Sequence, residues 1–252
     1  MIGRIFAWLA DSAHWQGSDG ILARLIEHLA YSLTAVIIAA LIAIPLGLYI
    51  GHTGRGRFFV VNLTGAARAI PSLGLLFLAV LWIGPKFSGD VAFLAPAGLV
   101  LVVLAIPPIL SGAYAGVEGV DPQARDAAKG MGMRGTEVLR HVELPCAMPL
   151  IMSGIRSATL QVIATATIAA VVGLGGLGRF LIDGLAVRDP PQTAAGAVLV
   201  ALLALAVDMV LALVQRLVVS RGLTGRYAGL PVVDLEAGTG VTQPPPAMEH
   251  SA

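Results

Sequence analysis

The sequence predicts an all-α polytopic membrane protein, and three observations carry that expectation. Hydrophobic residues make up 57% of the 252 and charged residues only 12%, against roughly 45–50% and about 25% in an ordinary globular domain. The apolar residues are gathered into five stretches nearly free of charge, 29–50, 58–83, 92–114, 148–172 and 193–214, each close to the roughly 20 residues that cross a bilayer as a helix. A single long polar segment, 115–147, interrupts the array.

Taken in order, residues 1–28 read as an extracytoplasmic or interfacial segment. The apolar run of residues 2–10 is short and broken by Arg4 and Trp8, which argues against a signal peptide and for an amphipathic helix with Phe6 and Trp8 at headgroup depth. Residues 29–217 form the transmembrane domain. Its second stretch is ambiguous, because Arg68 and Pro71 fall in the middle and proline breaks the helical hydrogen-bond ladder. One kinked helix or a helix with a re-entrant turn both fit. Five spans are expected; a sixth would have to recruit the N-terminal segment. Trp82, Tyr49 and Tyr114 fall near span ends and read as interface anchors. Residues 218–252 form a cytoplasmic tail whose polar, proline-rich composition predicts disorder.

Charge sets the orientation. With the 115–147 loop in the cytosol, the inner segments hold Arg55, Arg57, Arg125, Lys129, Arg134, Arg140, Arg216, Arg221 and Arg226, and the outer ones Arg4, Arg24, Lys86, Arg179 and Arg188. Nine against five agrees with the positive-inside rule, placing the N-terminus outside and the C-terminus in the cytosol. The net charge of +1 has no concentrated basic face, so no nucleic-acid partner is implied. Cys146 is the only cysteine, which excludes an internal disulfide and a thiolate metal cluster.

The 115–147 loop is too long for a connector, and loops of that length usually carry function. Asp121 reads as an N-cap with Pro122 at the first helical position. Helix is favoured to Lys129, Gly130 and Gly132 interrupt it, and Gly135 begins a second piece running to about Val142 before Leu144 and Pro145 restart the next membrane helix. The expected product is a pair of short helices about a glycine turn.

Within this loop Asp126, Ala127 and Ala128 are followed by Gly132, Val142, Leu144 and Pro145. The spacing resembles the Glu-Ala-Ala signature of binding-protein-dependent ABC importer permeases, with Asp for Glu and Val for Ile. The resemblance implies a type I ABC importer permease architecture in which these seven residues lie on coupling helices that insert into an ATPase subunit. Small alanines would allow close approach of that partner, Gly132 the bend, and Asp126 an ion pair across the interface. It extends from about Leu25 to Arg226 and is strongest toward the glycine betaine, carnitine, choline and proline betaine (osmoprotectant) permeases, through residues 41–47 (LIAIPLG) ending the first span, 69–73 (AIPSL), 119–122 (GVDP), 128–133 (AKGMGM) and 173–178 (GLGGLG). Methionine importer permeases share the layout and remain an alternative.

The resemblance also implies partners: a cytoplasmic ATPase dimer that uses ATP and Mg, an extracytoplasmic substrate-binding protein, and a second permease subunit, identical or related. The chain itself would bind no cofactor and catalyse no reaction. Residues 173–178 match G-x-G-x-x-G, but a dinucleotide fingerprint needs a preceding strand, and here a membrane span precedes; packing or a flexible gate suits these glycines better.

Polar groups at membrane depth are costly and so informative. Asn62, Arg68 and Asp208 stand out, with Asp208 read as a helix-packing pair more than a pathway group. Arg156 is expected to snorkel to the cytoplasmic surface. Gln161 and Thr165, four apart beside Thr159 and Thr167, line a path or pack helices, as do Pro71 and Ser72 in the second span. Aromatics do not cluster, so a quaternary-ammonium cage is expected on the binding protein instead. A secondary transporter or channel would want inverted repeats and several intramembrane acids, and an intramembrane enzyme would want H-E-x-x-H or a similar catalytic spacing. All five histidines, His14, His28, His52, His141 and His250, fall outside the predicted span centres.

Overall fold

The computed structural model describes residues 2–58, 60, 62 and 70–219, and its described residues are almost wholly helical. Arg68, Arg221, Arg226 and the tail expected to be disordered lie outside them. Helix α1 is Ile2–Ala10, α2 Ile21–Thr53, α3 Ser72–Ile83, α4 Val91–Glu118, α5 Pro122–Gly130 and α6 Gly135–Val138. A π turn, Leu139–Glu143, joins α6 to α7, Leu144–Ala169. Helices α8, Gly178–Ala186, and α9, Pro190–Val218, complete the order.

Four helical stretches are long and apolar enough to cross a membrane: Ile21–Thr53, Val91–Glu118, Gly135–Val172 and Pro190–Val218. They match four of the five expected spans. Of the fifth, residues 58, 60, 62 and 70–83 are described, and its continuous helix is α3, which starts immediately after Pro71; the 12 residues of α3 cover only about 18 Å, short of a roughly 30 Å core. Proline at the N-cap explains the boundary, since it has no N–H to give to a preceding turn.

The core is the three-way packing of α2, α4 and α7, and it is made of small side chains. On α2, Ala35, Ala39, Ala43 and Gly47 recur every fourth residue and are all buried, forming one smooth stripe. A Cβ at Gly47 would lie 2.7 Å from Ala113 Cβ on α4, and one at Gly51 2.7 Å from Val117 Cβ. Helices α4 and α7 cross at glycine on glycine: a Cβ at Gly112 would sit 2.6 Å from the Leu150 carbonyl, and one at Gly154 2.7 Å from the Pro108 carbonyl. In lipid the hydrophobic effect does not pull helices together, so close backbone approach through small residues supplies the packing energy. By contrast α9 keeps Leu202, Leu205, Met209, Val210, Leu213 and Leu217 exposed, an apolar face that in a bilayer meets lipid or a neighbouring chain.

Several boundaries depart from the expectations. Helix α2 begins at Ile21 and not near residue 29, so His28 lies two turns inside it, 1% exposed, with Nε2 3.1 Å from the Ile163 carbonyl. Charge at Arg24 and Glu27 hid this start from a hydropathy reading. For the same reason residues 41–47 lie in the middle of α2 and do not end it. Trp8 packs within the chain: its ring stacks on His14 at 4.0 Å and meets Phe180 edge-on at 5.5 Å, in a cluster with Ile21, Leu177 and Leu203, while Phe6 stays exposed. Tyr114 is likewise no interface anchor. It is buried in the α2–α4–α7 core, because α4 continues another turn to Glu118. Tyr49 and Trp82 are exposed.

Candidate functional site

Asp121 caps α5, its carboxylate accepting from the Gln123 N–H at 2.9 Å, with Pro122 in the first turn. Helix α5 ends at Gly130, and Gly132 takes φ +89°, a left-handed conformation that favours glycine. The chain reverses there and α6 begins at Gly135, where the Glu137 carboxylate reaches back to accept from the Arg134 N–H at 2.7 Å, one half of a capping box. The loop is thus two short helices about a glycine turn, as the spacing predicts.

The second helix does not stop and restart at Leu144. It runs through the π turn into α7 as one rod, Gly135–Val172. Pro145 accounts for the register change: lacking an N–H, it makes no bond back to the His141 carbonyl, and the wider π turn absorbs the gap. Displacement of the loop therefore acts directly on a membrane-spanning helix.

The π turn also rotates Glu143 inward. Glu143 is 2% exposed, and sequence reasoning missed it. Its Oε2 lies 2.6 Å from His52 Nδ1 at the end of α2, and its Oε1 lies 2.9 Å from Arg125 Nε on α5. The Arg125 N–H is not aimed along the oxygen lone pair, so that contact is ionic. A second Arg125 nitrogen donates to the Val117 carbonyl on α4. The carboxylate accepts from His52, so the ring form that fits carries a proton on Nδ1. One buried carboxylate thus ties α2, α4, α5 and the start of α7 together. The available signal was Glu143 immediately before Leu144 and Pro145, with Arg125 in the same polar segment and His52 in the preceding cytoplasmic one.

The seven motif residues occupy distinct places. Asp126 and Ala127 are exposed, and Asp126 lies 3.9 Å from Lys129, an exposed pair of little energetic consequence. Ala128 is 2% exposed, buried within the chain beside the Gly132 turn through the Met133 N–H to Ala128 carbonyl bond. Of the two alanines, then, only Ala127 is on the surface. Val142 and Leu144 are half-buried and Pro145 exposed, and Leu144 packs against the cluster of Ala113, Val117 and Ala147.

The membrane-depth candidates do not converge on one site. Asp208 receives both ends of the Arg156 guanidinium, Nε to Oδ1 and Nη2 to Oδ2 at 2.9 Å each, and Arg156 also donates to Gln215 at 3.1 Å. Arg156 therefore pairs with α9 through a bidentate partner. Thr159, Thr165 and Thr167 donate to the carbonyls four residues earlier in their own helix, which satisfies their hydroxyls without a partner helix. Thr165 is buried and Gln161 exposed. Asn62 donates to the Phe58 carbonyl at 2.7 Å, Pro71 is exposed and Ser72 half-buried at the start of α3. Residues 173–178 form a turn with Gly173 and Gly176 at φ +95° and +84°. The span before them is a helix, so no nucleotide-binding unit is present there.

Comparison with known proteins agrees with this geometry. Residues 43–222 match the model of the binding-protein-dependent transport system inner membrane component family. The chain is 37% identical over 201 residues to the glycine betaine/carnitine/choline transport system permease protein OpuCB of Bacillus subtilis, covering 79% of this chain and 88% of that one. It is 34% identical over 220 residues to the osmoprotectant import permease protein OsmW of Salmonella typhimurium, covering 84% and 99%. Among solved structures, the inward-facing MetNI methionine ABC transporter superposes with TM-score 0.66 at 21% identity, over 79% of this chain and 97% of that one; at that identity the likeness speaks to fold. The chain belongs to the binding-protein-dependent transport system inner membrane component family, and its architecture is that of a type I ABC importer permease.

Proposed function

We propose that this chain is the permease subunit of an ATP-driven importer for quaternary-ammonium osmoprotectants such as glycine betaine, choline and carnitine. The observation that carries the reading is the rigid connection of the α5–α6 loop, through the π turn and Glu143, to membrane helices α2, α4 and α7. Such a loop transmits a push from a docked ATPase to the transmembrane bundle without hydrolysing anything itself. Osmoprotectant substrates are supported by the relatives' names, which print three cargoes, glycine betaine, carnitine and choline, each bearing a trimethylated ammonium, and the class term osmoprotectant.

In this reading Asp126 and Ala127 present to a cytoplasmic ATPase dimer that consumes ATP and Mg, and the chain binds no cofactor. The loop faces the cytosol with the C-terminus, and the N-terminus lies outside, as the basic-residue balance favours. An extracytoplasmic binding protein delivers substrate. The exposed apolar face of α9 and the few spans of one chain support a second permease subunit closing the path. Reconstituted complex should accumulate radiolabelled glycine betaine, choline or carnitine only with ATP and binding protein. Uptake driven by an ion gradient with an ATPase-dead partner would overturn the assignment, and transport of methionine in place of quaternary amines would redirect the substrate.

A further inference from the structure

The end of the bundle opposite the loop carries a charged cavity that coupling does not use. It encloses about 420 Å³ and is lined by Arg24, Glu27 and Tyr31 near the start of α2, Asp90 and Phe93 at the start of α4, and Arg179 on α8. Glu27 Oε2 accepts from Arg24 and from the Gly176 N–H, each at 2.8 Å. Arg24 also pairs with Asp19, and Arg179 donates to Asp183 at 2.6 Å and to the Ala170 carbonyl at 3.4 Å. Each guanidinium thus leaves N–H groups to spare. Asp90 does not cap its own helix, and its carboxylate accepts no hydrogen bond among the described residues. Tyr31 and Phe93 both line this cavity.

Beneath this cavity a second one of about 610 Å³ follows the seam between α2 and α4, sharing Tyr31, Leu94 and Leu174 with the first. Its walls include Ala30, Ile38, Ile42, Gly98 and Leu99. A Cβ built at Gly98 would meet nothing within 4 Å, and Ile38 and Ile42 are 42% and 49% exposed. From Tyr31 to Ile42 the seam runs about 16 Å along the helix, close to the roughly 15 Å of one leaflet's hydrocarbon.

We propose that the two cavities form one binding site for a zwitterionic, amine-bearing phospholipid of the leaflet opposite the coupling loop. The headgroup phosphate takes the spare N–H groups of Arg24 and Arg179. The ammonium pairs with Asp90 beside the faces of Tyr31 and Phe93, and one acyl chain fills the seam past Gly98. A soluble osmolyte shares the ammonium chemistry but occupies only the upper cavity. An anionic lipid without an amine still meets Arg24 and Arg179 but leaves the Asp90 carboxylate without a cation. The site is independent of what the permease transports.

The test uses the purified full-length chain, delipidated in detergent, titrated with dioleoyl phosphatidylethanolamine, dioleoyl phosphatidylglycerol or glycine betaine, with the thermal midpoint and bound lipid as readouts. Phosphatidylethanolamine should raise the midpoint with saturation and outlast washing at about one molecule per chain, and phosphatidylglycerol should bind at least several-fold more weakly. Asp90→Asn should erase that preference. Gly98→Leu, whose Cβ meets nothing within 4 Å and whose longer side chain extends into the seam, should lower retention at least several-fold while its lipid-free midpoint matches wild type; Ile38→Trp, from the opposite wall, serves if Gly98→Leu fails to fold. Equal binding of both lipids, unaffected by these variants, would overturn the proposal. So would a response to glycine betaine alone, or a seam substitution that changes only self-association. The lipid outcomes do not bear on ATP-driven uptake, and a glycine betaine response would sink the lipid site while favouring the transport assignment, so the two fail separately.

Discussion

Replacing Glu143 tests whether the coupling loop is mechanically joined to the membrane helices. The carboxylate is 2% exposed and serves His52 at 2.6 Å and Arg125 at 2.9 Å. Removing one partner of a fully buried ion pair costs about 3–5 kcal/mol, because the other charge is left uncompensated. Here the two partners' side chains are 26% and 23% exposed and regain some water, which lowers the figure for Glu143→Ala to about 2–3 kcal/mol. Glu143→Gln keeps an oxygen for Arg125 but turns an amide toward the His52 N–H, for a loss of about 1–2 kcal/mol. At roughly 2–4 °C per kcal/mol for a chain of this size, Glu143→Ala should lower the thermal midpoint by about 4–12 °C. The functional readout is the number of substrates moved per ATP by reconstituted complex: it should fall while basal ATPase activity persists, because the ATPase still docks but its stroke is lost in a loosened loop. His52→Ala should be markedly less damaging in the Glu143→Ala background than in wild type. A wild-type midpoint and coupling ratio in Glu143→Ala would refute the mechanical link.

Three further outcomes follow from the packing. Gly154→Leu forces side-chain atoms against the Pro108 carbonyl, 2.7 Å from even the first carbon; overpacking of this kind costs about 1–3 kcal/mol or more, read as loss of folded yield in detergent, with Gly98→Ala a control that should fold normally. Asp208→Asn removes the carboxylate of a bidentate pair with Arg156, and should loosen α9 from α7, seen as faster hydrogen exchange in Pro190–Val218 with little change in α2; unchanged exchange there would count against a structural role. Gly132→Asp places a side chain at φ +89° and should cut ATP-coupled uptake strongly while leaving the chain in the membrane, whereas normal coupling would remove the loop from the mechanism.

What could be read in advance was whatever depends on local composition. Apolar length gave four of the spans, Asp121 and Pro122 gave the start of α5, and Gly132 gave the turn, because each follows from one or two residues acting on their own backbone. The errors share a cause as well. Arg24 and Glu27 look like the end of a membrane segment in a hydropathy window, yet they neutralise each other at 2.8 Å and α2 runs straight through them. Arg156 looks stranded until Asp208, 52 residues later, is brought beside it. Glu143 was missed because its role depends on His52 and Arg125, which only the folded chain assembles around it. Tyr114 was misplaced for the same reason, its neighbours in the core being supplied by other helices.

The account stands or falls on which surface Asp126 and Ala127 meet. Cysteine at position 126, with Cys146 replaced, should cross-link to a co-purified ATPase subunit, with a yield that changes on adding ATP, and should be shielded from an impermeant thiol reagent applied from outside the cell. Labelling from outside, or a purified transport complex in which position 126 cross-links to no nucleotide-hydrolysing subunit, would contradict it.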